Sequence, residues 1–149
     1  MITHSQDLRY NVKIACLDML VPSGHLLRKI DNAVDFSEIY GIVEHLYCDD
    51  TGRPAVDPVV LVKIVLLQHL YGIKSLRQTV KEVDMNIAYR WFIGYDIDTP
   101  VPHFATISYA FATRFPGDVF ERIFGWILEA AVSKGFIKAE TIFIDATHI

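Results

Sequence analysis

The 149-residue chain is 52% hydrophobic and carries 14 Lys and Arg side chains against 18 Asp and Glu, a formal net charge of −4. This apolar content excludes intrinsic disorder, and the negative balance excludes a protein that binds nucleic acid through its overall charge. Two cysteines are too few for a disulfide scaffold, and the N-terminus has no signal-peptide pattern, which favours a cytoplasmic protein without a membrane partner.

The N-terminal part of the chain changes from a weak pattern to a helical one. Residues 1–22 predict an extended arm or a short strand. Ser23 is predicted to cap a helix that runs to about Val34, and apolar residues at helical spacing continue over 36–47. The turn-forming residues of 48–54 then predict a loop.

The stretch 57–72 is predicted to be the central helix of a soluble helical domain. Asp57 can accept hydrogen bonds from the first turn, Pro58 suits the first helical position, and Gly72 suits the end. Lys63 is the only charged residue between the two ends. A helix that is apolar on nearly all sides is expected to be buried.

Two short helices are predicted next. Ser75 can cap a helix that Asp84 is predicted to break, and Asn86 can cap a second helix that Gly94 stops. The two prolines of 95–102 predict a connector, because proline cannot donate a backbone hydrogen bond within a helix.

The C-terminal part contains two longer helical patterns and one strand pattern. The first helix is predicted over 103–115, and the second follows a capping box of Asp118 and Glu121 and ends at Gly135. The β-branched, apolar run 141–147 instead predicts a buried strand. The predicted fold class is therefore mainly α, a multi-helix domain with one C-terminal β-strand.

Asp145 stands near the end of that strand. A carboxylate in an apolar strand needs hydrogen bonds or a metal ion, and magnesium that acts on phosphates prefers such oxygen ligands. A simple cap at the strand end is the other interpretation, and spacing alone favours it.

Four segments of the chain resemble bacterial insertion-sequence transposases, namely 25–31, 52–63, 86–95 and 141–149. The similarity is to the branch that has an InsH-like helical N-terminal domain ahead of an RNase H-like catalytic domain of the DDE type. The resemblance implies three parts, an N-terminal arm at 1–22, a helical domain at 23–138 and the first strand of a truncated catalytic domain at 139–149.

The resemblance implies a catalytic and metal-binding role for Asp145, as the first of three acidic residues that hold Mg²⁺ for DNA strand cleavage and transfer. The chain ends four residues later, before the other two acidic residues would appear. We therefore expect this chain alone to bind no metal stably and to lack the cleavage activity. Residues 102–106 depart from the family's motif, and the following helix retains only Arg114 of its basic residues.

Basic side chains in the middle of the chain predict duplex DNA as a partner, and the resemblance implies the terminal repeats of the element. Residues 53–93 carry six basic side chains against three acidic ones, and 75–93 is similar to a helix-turn-helix. A solvated surface is the plain alternative, and Trp91 and Phe92 are predicted to be core residues. The residues predicted to contact phosphates are Arg77, Lys81, Arg90 and Arg114.

Two hypotheses of different classes follow. The first is the N-terminal DNA-binding portion of an insertion-sequence transposase. The second is a helical module without DNA affinity, derived from a broken transposase, which oligomerises or pairs with the full-length enzyme and inhibits it.

Overall fold

The computed structural model describes residues 1–46, 55–115 and 117–135, and these ranges contain α-helices, one 3₁₀ turn and no strand. The helices are α1 (Leu17–Leu20), α2 (Leu26–Ala33), α3 (Glu38–Val43, continued by the 3₁₀ turn Glu44–Leu46), α4 (Pro58–Leu70), α5 (Leu76–Met85), α6 (Ile87–Ile93), α7 (Phe104–Thr113) and α8 (Gly117–Ser133). The mainly α prediction is confirmed for these ranges, whereas the predicted strand at 141–147 lies outside them.

α4 is the centre of the domain, as its sequence predicts. Its eight consecutive residues Val60–Leu67 are all buried, so the helix is covered on every side. α3, α5 and α6 pack against it. Burial of so many apolar side chains around one helix is the main favourable contribution to this fold.

The start of α4 is fixed by Asp57. One carboxylate oxygen accepts a hydrogen bond from the backbone N–H of Val59 at 2.8 Å, and the other accepts from the Tyr40 hydroxyl at 2.6 Å. The second bond joins α3 to α4 and raises the pKa of Tyr40 to about 12, because the neighbouring carboxylate disfavours the phenolate. Pro58 occupies the first helical position, and Gly72 follows the helix with a φ of 60°.

Lys63 carries a positive charge in the middle of this apolar helix, and only 9% of the residue is exposed. Its ammonium donates to Asp31 Oδ1 at 3.0 Å and to the carbonyl oxygen of Phe92 at 2.8 Å. The same group lies 4.5 Å from the ring centre of Phe36 and 4.7 Å from that of Phe92. A buried charge is tolerated only when it is paired in this way.

The N-terminal segment differs from its prediction. Residues 1–16 belong to no helix or strand, but Leu17–Leu20 forms α1 within the predicted arm. The Arg28 guanidinium donates to Asp18 at 2.8 Å and lies 4.6 Å from the ring centre of Trp91, and the Trp91 indole N–H donates to the same carboxylate at 2.9 Å. These contacts hold α1 against α6 and lower the pKa of Asp18, chiefly through the Arg28 bond.

Three predicted helix boundaries are wrong. α2 is capped by His25 instead of Ser23, because a turn places the His25 Nδ1 atom 3.0 Å from the backbone N–H of Leu27, from which it accepts. α5 continues past Asp84 to Met85. α8 begins at Gly117, so Asp118 lies in its first turn and not ahead of it.

Candidate nucleic-acid interface

α5 and α6 form the helix pair that the sequence indicates. The Ser75 hydroxyl accepts a hydrogen bond from the N–H of Gln78 at 3.0 Å, and the Asn86 side chain accepts from the N–H of Tyr89 at 3.0 Å. Asn86 ends α5 and caps α6, so a single residue joins the two helices. Gly94, with a φ of 82°, ends α6. These three predicted boundary residues are confirmed.

α5 has one buried face and one basic face. Thr79 and Val83 are fully buried against the core. Arg77 and Lys81 are exposed and lie one helical turn apart, so their side chains project from the same side of the helix. Glu82 lies on a different side, since successive residues are about 100° apart around a helix.

The first turn of α7 meets this basic face. His103 caps α7, its Nδ1 atom accepting from the N–H of Ala105 at 3.1 Å. The guanidinium carbon of Arg77 lies 4.5 Å from the ring centre of Phe104, whose ring in turn lies 4.4 Å from that of His103. The beginnings of α5 and α7 are therefore neighbours.

A groove of about 380 Å³ lies between these two helices, and we call it the basic groove; its lining residues are Arg77, Val80, Lys81, His103 and Phe104. Two cationic side chains border it. The N-terminal turn of each helix adds a partial positive charge, because backbone dipoles point along the helix axis. The combination favours an anionic group such as a phosphate.

Arg90 lies away from this groove, inside the domain, with 5% of the residue exposed. Its guanidinium donates to the carboxylate and the carbonyl oxygen of Asp84, both at 2.9 Å, and to the carbonyl oxygens of Asp96 at 2.7 Å and Thr99 at 2.8 Å. This explains why Asp84 does not break α5. Arg90 therefore has no exposed guanidinium that could make the predicted phosphate contact. Its guanidinium instead joins the end of α5 to the connector 95–102.

The remaining predicted site residues are not gathered at the groove. Arg114 follows α7 at the end opposite to His103, roughly 15 Å along the helix axis, and is half-buried. Asp145 lies outside the described residues. The structure therefore brings Arg77 and Lys81 together and leaves Arg90 and Arg114 elsewhere.

Two groove residues, His103 and Phe104, carried no signal of this role in the sequence. Histidine is not among the usual N-cap residues, so its capping of α7 was not predicted. The expectation that aromatic residues of α6 are core residues is confirmed for Phe92, which is 1% exposed. The Trp91 ring is occupied by Arg28 and Asp18 and is not available for stacking on a base.

Within the described ranges, no group of three or more His, Cys, Asp or Glu side chains is arranged to hold a metal ion. No helix in those ranges has the length and apolar character needed to cross a membrane.

The comparisons with known proteins differ in outcome. No curated protein and no solved structure matches the chain. A family model described as Transposase domain (DUF772) matches residues 15–113, which run from the segment before α1 to the end of α7 and include the basic groove. Because this match covers more than half of the 149 residues, the chain belongs to the DUF772 transposase-domain family.

Proposed function

We propose that the helical domain is the duplex-DNA-binding part of an InsH-like insertion-sequence transposase and that the basic groove contacts the DNA backbone. Membership of a transposase-domain family supports a role in transposition. The observation that carries the DNA proposal is the groove itself, where Arg77 and Lys81 face solvent beside two helix N-termini.

The groove suits a phosphate better than a base edge. Arg77 and Lys81 have Cβ atoms about 5–6 Å apart, so both cations can reach one DNA strand. The Arg77 guanidinium already covers one face of the Phe104 ring, which restricts its use as a bidentate donor to a guanine edge, and no described residue of the groove is an Asn or Gln that could pair with adenine. Contacts of this kind position a protein on DNA and depend strongly on salt.

The other two predicted basic residues have different roles in this proposal. Arg114 is a secondary backbone contact, reached only by a duplex that follows α7 away from the groove. Arg90 supports the groove by fixing the end of α5 and the connector, and it does not touch DNA.

We further propose that residues 139–149 begin an RNase H-like domain and that Asp145 is the first of three carboxylates that hold Mg²⁺ in a longer DDE transposase. In this proposal, strand cleavage and transfer belong to that longer protein and DNA binding belongs to the helical domain.

The test is fluorescence anisotropy of a labelled duplex titrated with the chain at several salt concentrations. Arg77→Ala and Lys81→Ala should each weaken binding by about 5–10-fold near 0.1 M salt and reduce the slope of log K against log salt by about 0.9, because each removes one phosphate contact. Lys29→Ala is the matched control, since Lys29 is exposed on α2 and its loss changes the net charge equally.

Two results would reject the proposal. One is the absence of binding at low salt. The other is an equal effect of all three substitutions, which would mean that only net charge matters.

A second candidate function is the self-pairing module without DNA affinity, which could also pair with full-length transposase. The exposed, uncharged surface of α7 favours it. Molar mass by light scattering, with and without duplex, separates the two functions: an oligomer that ignores DNA identifies the module.

A further inference from the structure

α7 is an uncharged helix, and the described residues leave one side of it exposed; the exposed positions are Ala105, Thr106, Ser108, Tyr109, Ala112 and Thr113. None of its ten residues, Phe104–Thr113, carries a formal charge, yet Ile107 is its only buried residue. Tyr109 is 68% exposed and therefore projects from this uncharged surface. A solvent-facing helix normally carries charged residues on its outer side, so this surface is atypical of one that stays in water.

A second groove, of about 440 Å³, lies alongside the C-terminal half of α7. We call it the aromatic groove, because Phe111, Phe115 and Phe120 line it. The ring of Phe111 lies 5.2 Å from that of Phe115 and 5.0 Å from that of Phe120. Aromatic rings in such a wall pack favourably against the edge or face of a further ring.

The aromatic groove and an exposed aromatic side chain belong to the same helix. Ser108 and Ala112 line the groove, and Tyr109 is the neighbour of Ser108 in the chain. A surface that contains both a projection and a matching depression can pair with a copy of itself about a two-fold axis. The same contact, a projection in a depression, then occurs twice in the pair.

We propose that two copies of this chain associate through α7, with the helices antiparallel and Tyr109 of each copy in the aromatic groove of the other. The small exposed side chains of Ala105, Ser108 and Ala112 permit close approach of the two helices. The absence of charge on α7 means that two identical surfaces meet without like-charge repulsion, although each chain carries a net charge of −4.

Other exposed tyrosines are less suited to this groove. Tyr40 is held by its bond to Asp57, and the Tyr71 ring lies 5.0 Å from that of Tyr89. Among the tyrosines that the structure describes, Tyr10, in the exposed N-terminal segment, is the remaining rival occupant.

The pairing is compatible with DNA binding but does not depend on it. Arg77 and Lys81 line the basic groove and not the aromatic groove. A dimer formed through the aromatic groove leaves both basic grooves open, one at each end of the antiparallel helix pair.

Sedimentation velocity of the full chain, from micromolar to submillimolar concentration and without DNA, tests the proposal. The wild-type chain should sediment as a dimer. Tyr109→Ala should raise the dimer dissociation constant by about tenfold or more, as expected for loss of a buried aromatic anchor. Ala112→Glu should give a monomer, because it places a carboxylate in the apolar interface.

Asn32→Glu is the matched control for added charge, since Asn32 is exposed on α2, and it should leave the dimer unchanged. Circular dichroism checks that each variant keeps its helical content, which substitution at the exposed positions 109 and 112 should preserve. A monomeric wild-type chain would overturn the proposal. So would a dimer that survives both α7 substitutions, or one that is lost in Tyr10→Ala and kept in Tyr109→Ala.

Discussion

The interior cations Lys63 and Arg90 differ from the surface cations Arg77 and Lys81 in what their charge binds. Both interior groups donate to carbonyl oxygens and a carboxylate within the domain, and each is less than one-tenth exposed. The surface cations border an open groove instead. A basic residue in a helical sequence is therefore no indication of a nucleic-acid contact until the partners of its charge are known.

The largest effect on stability is expected at Lys63, whose substitution tests whether an interior cation stabilises the domain. Lys63→Ala should lower the free energy of unfolding by about 3 kcal/mol, because it removes the buried donor of the Phe92 carbonyl oxygen and one partner of a partly exposed ion pair, and leaves a void in the core. Lys63→Met keeps the volume and should cost about 1–2 kcal/mol, mainly because the Phe92 carbonyl loses its donor. Urea unfolding measures both values. Equal losses would show that the lost ammonium and its bonds are responsible and that the lost volume contributes nothing.

A smaller effect is expected at Arg90. Arg90→Ala should lower the free energy of unfolding by about 2 kcal/mol, because carbonyl oxygens of Asp84, Asp96 and Thr99 lose their shared donor. Arg90→Lys should recover less than half of the loss, since an ammonium cannot match the planar guanidinium.

Arg77→Ala removes a guanidinium from the surface, whereas Arg90→Ala removes one from the interior. It should change stability by less than about 0.5 kcal/mol, because the side chain is exposed. In thermal melts, Arg90→Ala should therefore lower the melting temperature clearly more than Arg77→Ala does. If Arg77→Ala destabilised the domain as much as Arg90→Ala, the division into interior and surface cations would be wrong.

A modest effect, smaller than that at either interior cation, is expected at the surface bond between Tyr40 and Asp57. Tyr40→Phe should cost about 0.5–1 kcal/mol near neutral pH, because the hydrogen bond is partly exposed. The folded-state pKa of Tyr40, about 12, lies above the ordinary value of 10.0. The stability from this bond is thus fully present below pH 10 and is lost as the pH rises towards 12.

Urea unfolding of wild type and Tyr40→Phe at neutral and alkaline pH measures this loss. The difference between the two proteins should shrink as the pH rises. A difference that stays constant would mean that the hydroxyl contributes through packing and not through its bond to the carboxylate.

The sequence predicted those features of the fold that depend on neighbouring residues. The cap at Asp57 and the boundary at Asn86 each need only a short polar side chain at the right spacing, so both were found. The caps at His25 and His103 were not, because imidazole rarely has this role.

Contacts between distant residues had no local signal. Trp91 bonds to Asp18 across 73 residues of chain, and Arg90 reaches carbonyl oxygens that no side-chain pattern marks. The candidate site, too, was predicted only where residues close in the sequence determine it. Arg77 and Lys81 share a helix face by spacing alone, whereas the meeting of α5 with His103 and Phe104 is a property of the tertiary fold.

The paired lysine in α4 also decides how that helix is oriented. Because α4 is apolar on every side, hydrophobic burial is nearly the same whichever way the helix is turned about its own axis. Turning it would carry the Lys63 ammonium away from Asp31 and Phe92 and into unpaired burial, so one setting is selected. Lys63→Met should therefore retain helix content and much of the stability, yet its NMR spectrum should show broadened or doubled core methyl signals from coexisting orientations.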